Sequence, residues 1–194
     1  NHYSEIDPIV MGVVTWKLRR TPRFLAKASL FRVPVLGWLM RFSGQIPVER
    51  EASSQLGQPL EAAKLLMERN QGVIVYPEGT LTKDPNLWPM QGKSGAVRMA
   101  LEQNIPLYPA AHWGTQHWMG RYAKTIRFFP RTTIDAVVGE PFDLSAYRGK
   151  PLTKELLQEA TTALMHEIAA LTGSLRGETP PKTLHDGRGE GKTR

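Results

Sequence analysis

A histidine and an aspartate five residues apart open the sequence. The segment NHYSEID holds His2 and Asp7. Along a regular helix that spacing sets two side chains ~140° apart, out of mutual reach. If the helix starts at Asp7, His2 lies in the preceding turn and can fold back onto the carboxylate. Asp7 suits the N-cap of such a helix and Pro8 its first turn. A neutral imidazole held by a carboxylate is a general base for a hydroxyl, because the carboxylate fixes its tautomer and stabilises the imidazolium as it forms. The spacing alone equally admits an Asp7 that merely caps and a His2 that is incidental to it.

Three further segments carry residues suited to chemistry. YPEGTLT, residues 76–82, follows the apolar run VIV. A tight turn at the C-terminal end of a strand is where open α/β sheets place ligands. Gly79 permits close backbone approach there. Glu78 can anchor a substrate or a basic neighbour, and Thr80 completes the turn. GQIPVER, residues 44–50, ends on Arg50, whose guanidinium matches phosphate bidentately; a rim salt bridge is the alternative. IPLYPAAHWG, residues 105–114, is a proline-interrupted apolar segment in which His112 is expected to pack as a core or edge histidine. With no cysteine in the chain, thiolate nucleophiles, zinc–thiolate sites and disulfides are excluded.

The elements that must position these residues alternate. Helices are expected over 7–20, 29–42, 55–70, 95–103 and 152–172, from caps and from apolar periodicity. Strands are expected over 23–27, 44–50, 73–76 and 105–111, with one or two more in 126–138. This pattern gives an α/β layered domain with a central, mostly parallel or mixed sheet flanked by helices. The domain is expected over residues 1–173, followed by a flexible basic tail over 174–194.

The formal net charge is +7 with a pI near 9.8. Its distribution says more than its size. Lys17, Arg19, Arg20, Arg23, Lys27, Arg32, Arg41 and Arg50 face a single acid, Glu49, in residues 17–50, so this stretch accounts for the whole excess. It points to an anionic partner or to a solvated face. The segment 29–42, with Leu30, Phe31, Val35, Leu36, Trp38, Leu39 and Phe42 between arginines, has the make-up of an interfacial helix or of a core helix. Pro8–Trp16 and Val33–Met40 fall far short of the ~20 apolar residues of a membrane span. The chain opens on Asn1, without an initiator methionine and with a motif histidine at once, so a preceding segment is expected, one that could carry an anchor. Nucleic acid is not an expected partner, since aromatics are not interleaved with the basic residues.

In order and spacing, NHYSEID, GQIPVER, YPEGT and IPLYPAA resemble the four blocks of the bacterial 1-acylglycerol-3-phosphate O-acyltransferases, the PlsC-like lysophospholipid acyltransferases. FLAKASLFRVPVLGWL and LWPMQGKSGAVRMA resemble the segments between blocks, so the likeness covers roughly residues 1–140. It implies a glycerolipid acyltransferase-like fold, with His2 and Asp7 catalytic and Lys27 and Arg50 on the acceptor phosphate. Glu78, Gly79 and Thr80 become substrate-binding. Many members carry arginine where this chain has Leu81, and Lys83 or Lys93 is the substitute at hand. The implied reaction moves a fatty acyl group from acyl-CoA or acyl-carrier protein to the free hydroxyl of lysophosphatidate, giving phosphatidate for phospholipid synthesis. Backbone N–H groups at His2–Ser4 and Glu78–Thr80 are candidates for the oxyanion. Neither a metal nor a cofactor is required. The expected location is the cytoplasmic face of the cell membrane, held peripherally on an anionic surface or by a preceding anchor. Acylation of glycerol-3-phosphate or another lysolipid is the neighbouring alternative, and a non-catalytic basic membrane-binding module the distant one.

Overall fold

A computed structural model describes residues 1–48, 71–123, 125–127 and 129–187. The expected helix at 55–70 and the candidate Arg50 lie outside the described residues. The chain divides into two compact units, Met11–Val75 and a second built from Asn1–Val10 with Tyr76–Arg194. The helix α1, Asp7–Lys17, supplies residues to both.

In the Met11–Val75 unit, strands β1 (Thr21–Lys27), β2 (Ile46–Val48) and β3 (Gln71–Ile74) form a parallel sheet in the order β2–β1–β3. Its register pairs Leu25 with Ile46 and Phe24 with Ile74. Parallel order demands crossovers, and between β1 and β2 a 3-10 turn and a helix supply one. α1 stops at Lys17, short of residue 20, because Arg19 adopts a left-handed φ of 59° and the Arg20 N–H closes on the Thr15 carbonyl at 3.1 Å. After β1 comes a 3-10 turn, Ala28–Arg32, and then α2, Pro34–Phe42. The expected helix over 29–42 is therefore broken at Pro34, which occupies the first helical position. Gly37 lets α2 lie on that turn: a Cβ there would stand 2.1 Å from the Phe31 carbonyl oxygen. Arg41 donates to the same carbonyl at 2.7 Å.

The other unit is organised by a long helix. We label its elements α3 (Gly95–Glu102), β4 (Ala110–Trp113), α4 (Thr115–Trp118), β5 (Asp135–Val138) and α5 (Lys154–Arg176). Thr153 caps α5 by accepting from the Leu156 N–H, and Gly177 ends it at φ 68°. Leu157, Ala160, Leu164, Ile168 and Ala169 recur at helical spacing on α5, and all are buried. They pack with Val97 and Ala100 of α3 and with Phe142, Leu144 and Leu184. β4 and β5 are antiparallel, with His112 opposite Ala136.

Two expectations shift. The strand expected at 105–111 runs from 110 to 113, because Pro106 and Pro109 have no N–H to give a ladder. The chain expected to be loose from 174 is packed in its described part: α5 continues to Arg176, Leu184 is buried in the core, and the Gln91 N–H donates to the His185 carbonyl at 2.9 Å, while residues 188–194 lie outside the described residues. The α/β class holds, with the described strands in two small sheets instead of one.

Candidate active site

The turn before α1 brings the opening histidine and aspartate together. His2 Nδ1 lies 2.8 Å from Asp7 Oδ2. The same oxygen accepts the backbone N–H of Tyr3 at 2.6 Å and of Ser4 at 2.8 Å. Asp7 thus turns back onto the residues before the helix, and its expected work as an ordinary N-cap is replaced by this cradle. The carboxylate is fully buried. Burial pushes its pKa up, but the His2 hydrogen bond, the nearby His112, the Ser4 N–H and the Thr115 hydroxyl together hold it below the ordinary value. It is therefore ionised at neutral pH. An acceptor at Nδ1 assigns the proton of neutral His2 to that nitrogen. Nε2 is left as the basic atom, with no hydrogen-bond partner among the described residues, on a ring that stacks against Tyr76 at 4.3 Å.

The turn after β3 supplies the second half. The Thr82 N–H donates to the His2 carbonyl at 2.7 Å, joining the two motifs through the backbone. Glu78 is 4% exposed and accepts the Met90 N–H on Oε2 at 3.0 Å. Burial is the largest influence on it and raises its pKa to about 6. The His2 N–H also acts on this carboxyl, and Oε1 makes no close hydrogen bond among the described residues. Gly79 sits at φ 69°, which a side chain would strain, and a Cβ there would meet Lys93 Nζ at 3.2 Å. Thr80 is exposed at the tip.

Not every candidate keeps its expected role. The Tyr3 and Ser4 N–H groups are spent on Asp7, and the Gly79 N–H on the Tyr76 carbonyl at 3.0 Å. Of the expected oxyanion donors in these two turns, the His2 N–H acts on the Glu78 carboxyl, and those of Glu78 and Thr80 have no hydrogen bond among the described residues. Leu81 is buried, so the position where relatives place arginine belongs to the core. Lys83 donates to the Gly187 carbonyl at 2.7 Å. Lys93, whose ammonium lies over the Gly79 turn, is the cation the fold sets beside the site. Lys27 closes β1 opposite Val48 in the other unit.

Sequence reasoning passed over three residues here. Tyr76, expected as the last residue of a strand, stacks on His2. Asn1 was given no role, yet it donates to the His112 carbonyl and accepts the His112 N–H, tying the motif turn to β4. Asn–His as a pair was its only signal. Arg121 holds the loop after the Glu78 turn by donating to the Thr82 and Asp84 carbonyls, and nothing in its sequence context marked it.

The family model described as Acyltransferase matches residues 1–113. The chain belongs to the Acyltransferase family. Among its relatives, the 1-acyl-sn-glycerol-3-phosphate acyltransferase of Bacillus subtilis (strain 168) is 28% identical over 176 residues, covering 90% of this chain and 79% of that one. The chloroplastic 1-acyl-sn-glycerol-3-phosphate acyltransferase BAT2 of Brassica napus is 30% identical over 115 residues, 59% of this chain and 32% of its own length. A counterpart from Limnanthes douglasii is 32% identical over 59% of this chain and 40% of its own. The chain thus spans well under half of these two plant relatives. In fold it is similar to the crystal structure of the 1-acyl-sn-glycerophosphate acyltransferase PlsC from Thermotoga maritima, with a TM-score of 0.57 at 20% identity over 93% of this chain and 66% of that chain.

Proposed function

We propose that this acyltransferase moves a fatty acyl group from a thioester, acyl-CoA or acyl-carrier protein, to the free hydroxyl of lysophosphatidate. One observation carries the chemistry: a histidine anchored through Nδ1 on a buried, ionised aspartate, with Nε2 unpartnered. His2 Nε2 takes the hydroxyl proton as the oxygen attacks the thioester carbon. The tetrahedral intermediate then breaks its C–S bond, and His2 returns the proton to the departing thiolate. The Thr80 N–H, in the exposed tip of the Glu78 turn, is our candidate donor to the developing oxyanion. Lys93, beside the Gly79 turn, supplies charge for the acceptor phosphate; the same role for Lys27 and Arg50 rests on the family resemblance alone. Glu78 ties the turn to Met90 and retains Oε1 for a substrate hydroxyl. The names of the relatives favour lysophosphatidate over glycerol-3-phosphate as acceptor.

A membrane surface is the expected workplace, at its cytoplasmic face. α2 supports this. Val35, Trp38, Leu39 and Phe42 are exposed, the last by 79%, and Trp38 stacks on Phe42 at 5.4 Å. No helix among the described residues is long and apolar enough to cross a membrane. The test is thiol release from acyl-CoA and acyl-carrier protein across a panel of acceptors. Lysophosphatidate-dependent release that exceeds release with glycerol-3-phosphate and with neutral lysolipids supports the reading. Release with glycerol-3-phosphate alone overturns the acceptor, and liposome binding without any release would leave a non-catalytic membrane module.

A further inference from the structure

Asp7 has two oxygens, and the pair with His2 uses only one. Oδ2 accepts from His2, Tyr3 and Ser4, whereas Oδ1 is buried and has no hydrogen bond among the described residues. His112 Nε2 lies 3.7 Å from that oxygen, on a side chain 1% exposed. It too is buried without a hydrogen bond, as is the Thr115 hydroxyl, which also acts on the Asp7 carboxyl. Buried polar atoms are rarely left unsatisfied. Here three such atoms meet at one carboxyl, an acceptor oxygen of Asp7 and two potential donors, and they make a complementary set.

The secondary structure explains how they gather. His112 is in β4, whose ladder with β5 fixes its backbone. Asn1 clasps that backbone from the other side, with bonds of 2.8 Å and 3.1 Å. Gly114 then turns at φ 114°, where a Cβ would stand 2.4 Å from the Thr133 carbonyl oxygen, and starts α4 with Thr115. Tyr3 packs edge-on against the His112 ring at 5.4 Å. Burial drives the pKa of His112 down to about 4, so the ring is neutral at physiological pH and has one N–H to give.

We infer that His112 and Thr115 are positioning residues for the catalytic pair: the Nε2–H of neutral His112 and the Thr115 hydroxyl hold Asp7 Oδ1, so that Oδ2 is presented to His2 in one orientation. This rests on the reading of His2 as the base. An approach of well under ~1 Å brings His112 Nε2 to hydrogen-bond distance. Donors on Oδ1 also draw charge from the carboxylate, which moderates its grip on the His2 imidazolium. The ionisable side chains facing this cluster are His2, Tyr3, Tyr76 and Glu78.

The experiment has a catalytic and a spectroscopic arm, both on the full chain. In the first, His112→Phe, His112→Gln and Thr115→Val are compared in thiol release across pH. His112→Phe is expected to lower kcat about tenfold or more with the acceptor KM little changed. The acidic limb of its rate profile moves to higher pH, because an unsatisfied carboxylate binds the imidazolium more tightly. His112→Gln, whose side-chain amide can still donate, restores most of the rate and the wild-type limb. Thr115→Val, nearly isosteric, gives a smaller shift of the same sign and keeps the measurement available if the Phe variant fails to fold. A Gln variant no better than Phe, or a Thr115→Val limb that does not move, overturns the inference. In the second arm, imidazole 15N spectra of the wild-type protein at neutral pH are expected to show His112 as the Nε2–H tautomer, with its Nε2 signal altered by Asp7→Asn. An Nδ1–H tautomer overturns it whatever the turnover. If His2→Ala retains full activity while His112 is the Nε2–H tautomer sensitive to Asp7, the base assignment fails and the contact to Asp7 stands.

Discussion

At the scale of single residues, burial moves a carboxyl and an imidazole of the site from their ordinary titration, Glu78 upward and His112 downward. His2→Ala is expected to reduce turnover ~10²–10⁴-fold with the fold intact, because a positioned base is lost from a partly exposed ring. Turnover of the purified variant, beside its circular dichroism, checks this. Glu78 gives a different signature. Its carboxyl, raised from 4.5 to about 6 by burial, is destabilising when ionised. Glu78→Gln is therefore expected to raise stability at pH 8 by up to about 2 kcal/mol while lowering activity, as read by urea midpoints and thiol release. Lys93→Ala is expected to raise the acceptor KM about threefold to tenfold and leave the donor KM unchanged. Leu81→Arg, which would restore the arginine of many relatives, instead places a charge at a position 7% exposed, and a lowered melting temperature is the expected result.

At the scale of elements, α2 shows how one glycine fixes a segment. A Cβ at Gly37 would overlap the Phe31 carbonyl, so Gly37→Ala is expected to loosen α2 from its 3-10 turn, seen as faster amide exchange in residues 34–42. The outward residues of the same helix are free to serve another purpose. Trp38→Ser with Phe42→Ser removes two exposed aromatics. The double variant is expected to keep its melting temperature and to lose liposome affinity, since each buried aromatic contributes ~1.5–3 kcal/mol to membrane insertion. Unchanged binding to anionic vesicles would move the membrane contact away from α2. Arg41 suits such a test less well, because it donates to the Phe31 carbonyl and holds the turn.

At the scale of the whole molecule, buried ionisable groups set the response to acid. His112 titrates near 6.5 when unfolded and about 4 when folded, so between those values the unfolded chain binds the extra proton and stability rises with pH. Glu78 acts in the opposite sense between 4.5 and about 6, where the folded state holds the proton. Asp7, depressed in the fold, adds stability above its unfolded pKa that is lost as pH falls through its folded value. The His112 shift is the larger of the two opposed effects, so net stability is expected to rise from pH 4 to pH 6.5. Urea midpoints should rise more steeply in Glu78→Gln and less steeply in His112→Gln. A flat profile in the wild-type protein would contradict the burial of His112.

Local interactions are what a sequence reports most directly, and here they were enough for much of the fold and for the meeting of His2 with Asp7. Asp7 followed by Pro8 marked the start of α1, and that start is why His2 folds back onto the carboxylate. Apolar spacing marked α5, and the ordered blocks marked the family. What lay beyond reach was each effect made by residues distant in the chain. The burial of Leu81, the engagement of Lys83 by Gly187, and the arrival of Lys93 over Gly79 depend on how the loop from 80 to 93 packs against 185–187. The break at Pro34, the late start of β4 and the ordered chain to Gly187 were decided likewise by packing and by prolines without a donor. His112 shows the division most clearly. Its sequence context reads as a core histidine, and it is one, but a strand ladder and a clasp by Asn1, 111 residues away, set its ring on the far oxygen of Asp7. Side-chain identity and local backbone preference are written along the chain, whereas the partner of a buried polar atom is chosen only when distant segments close around it.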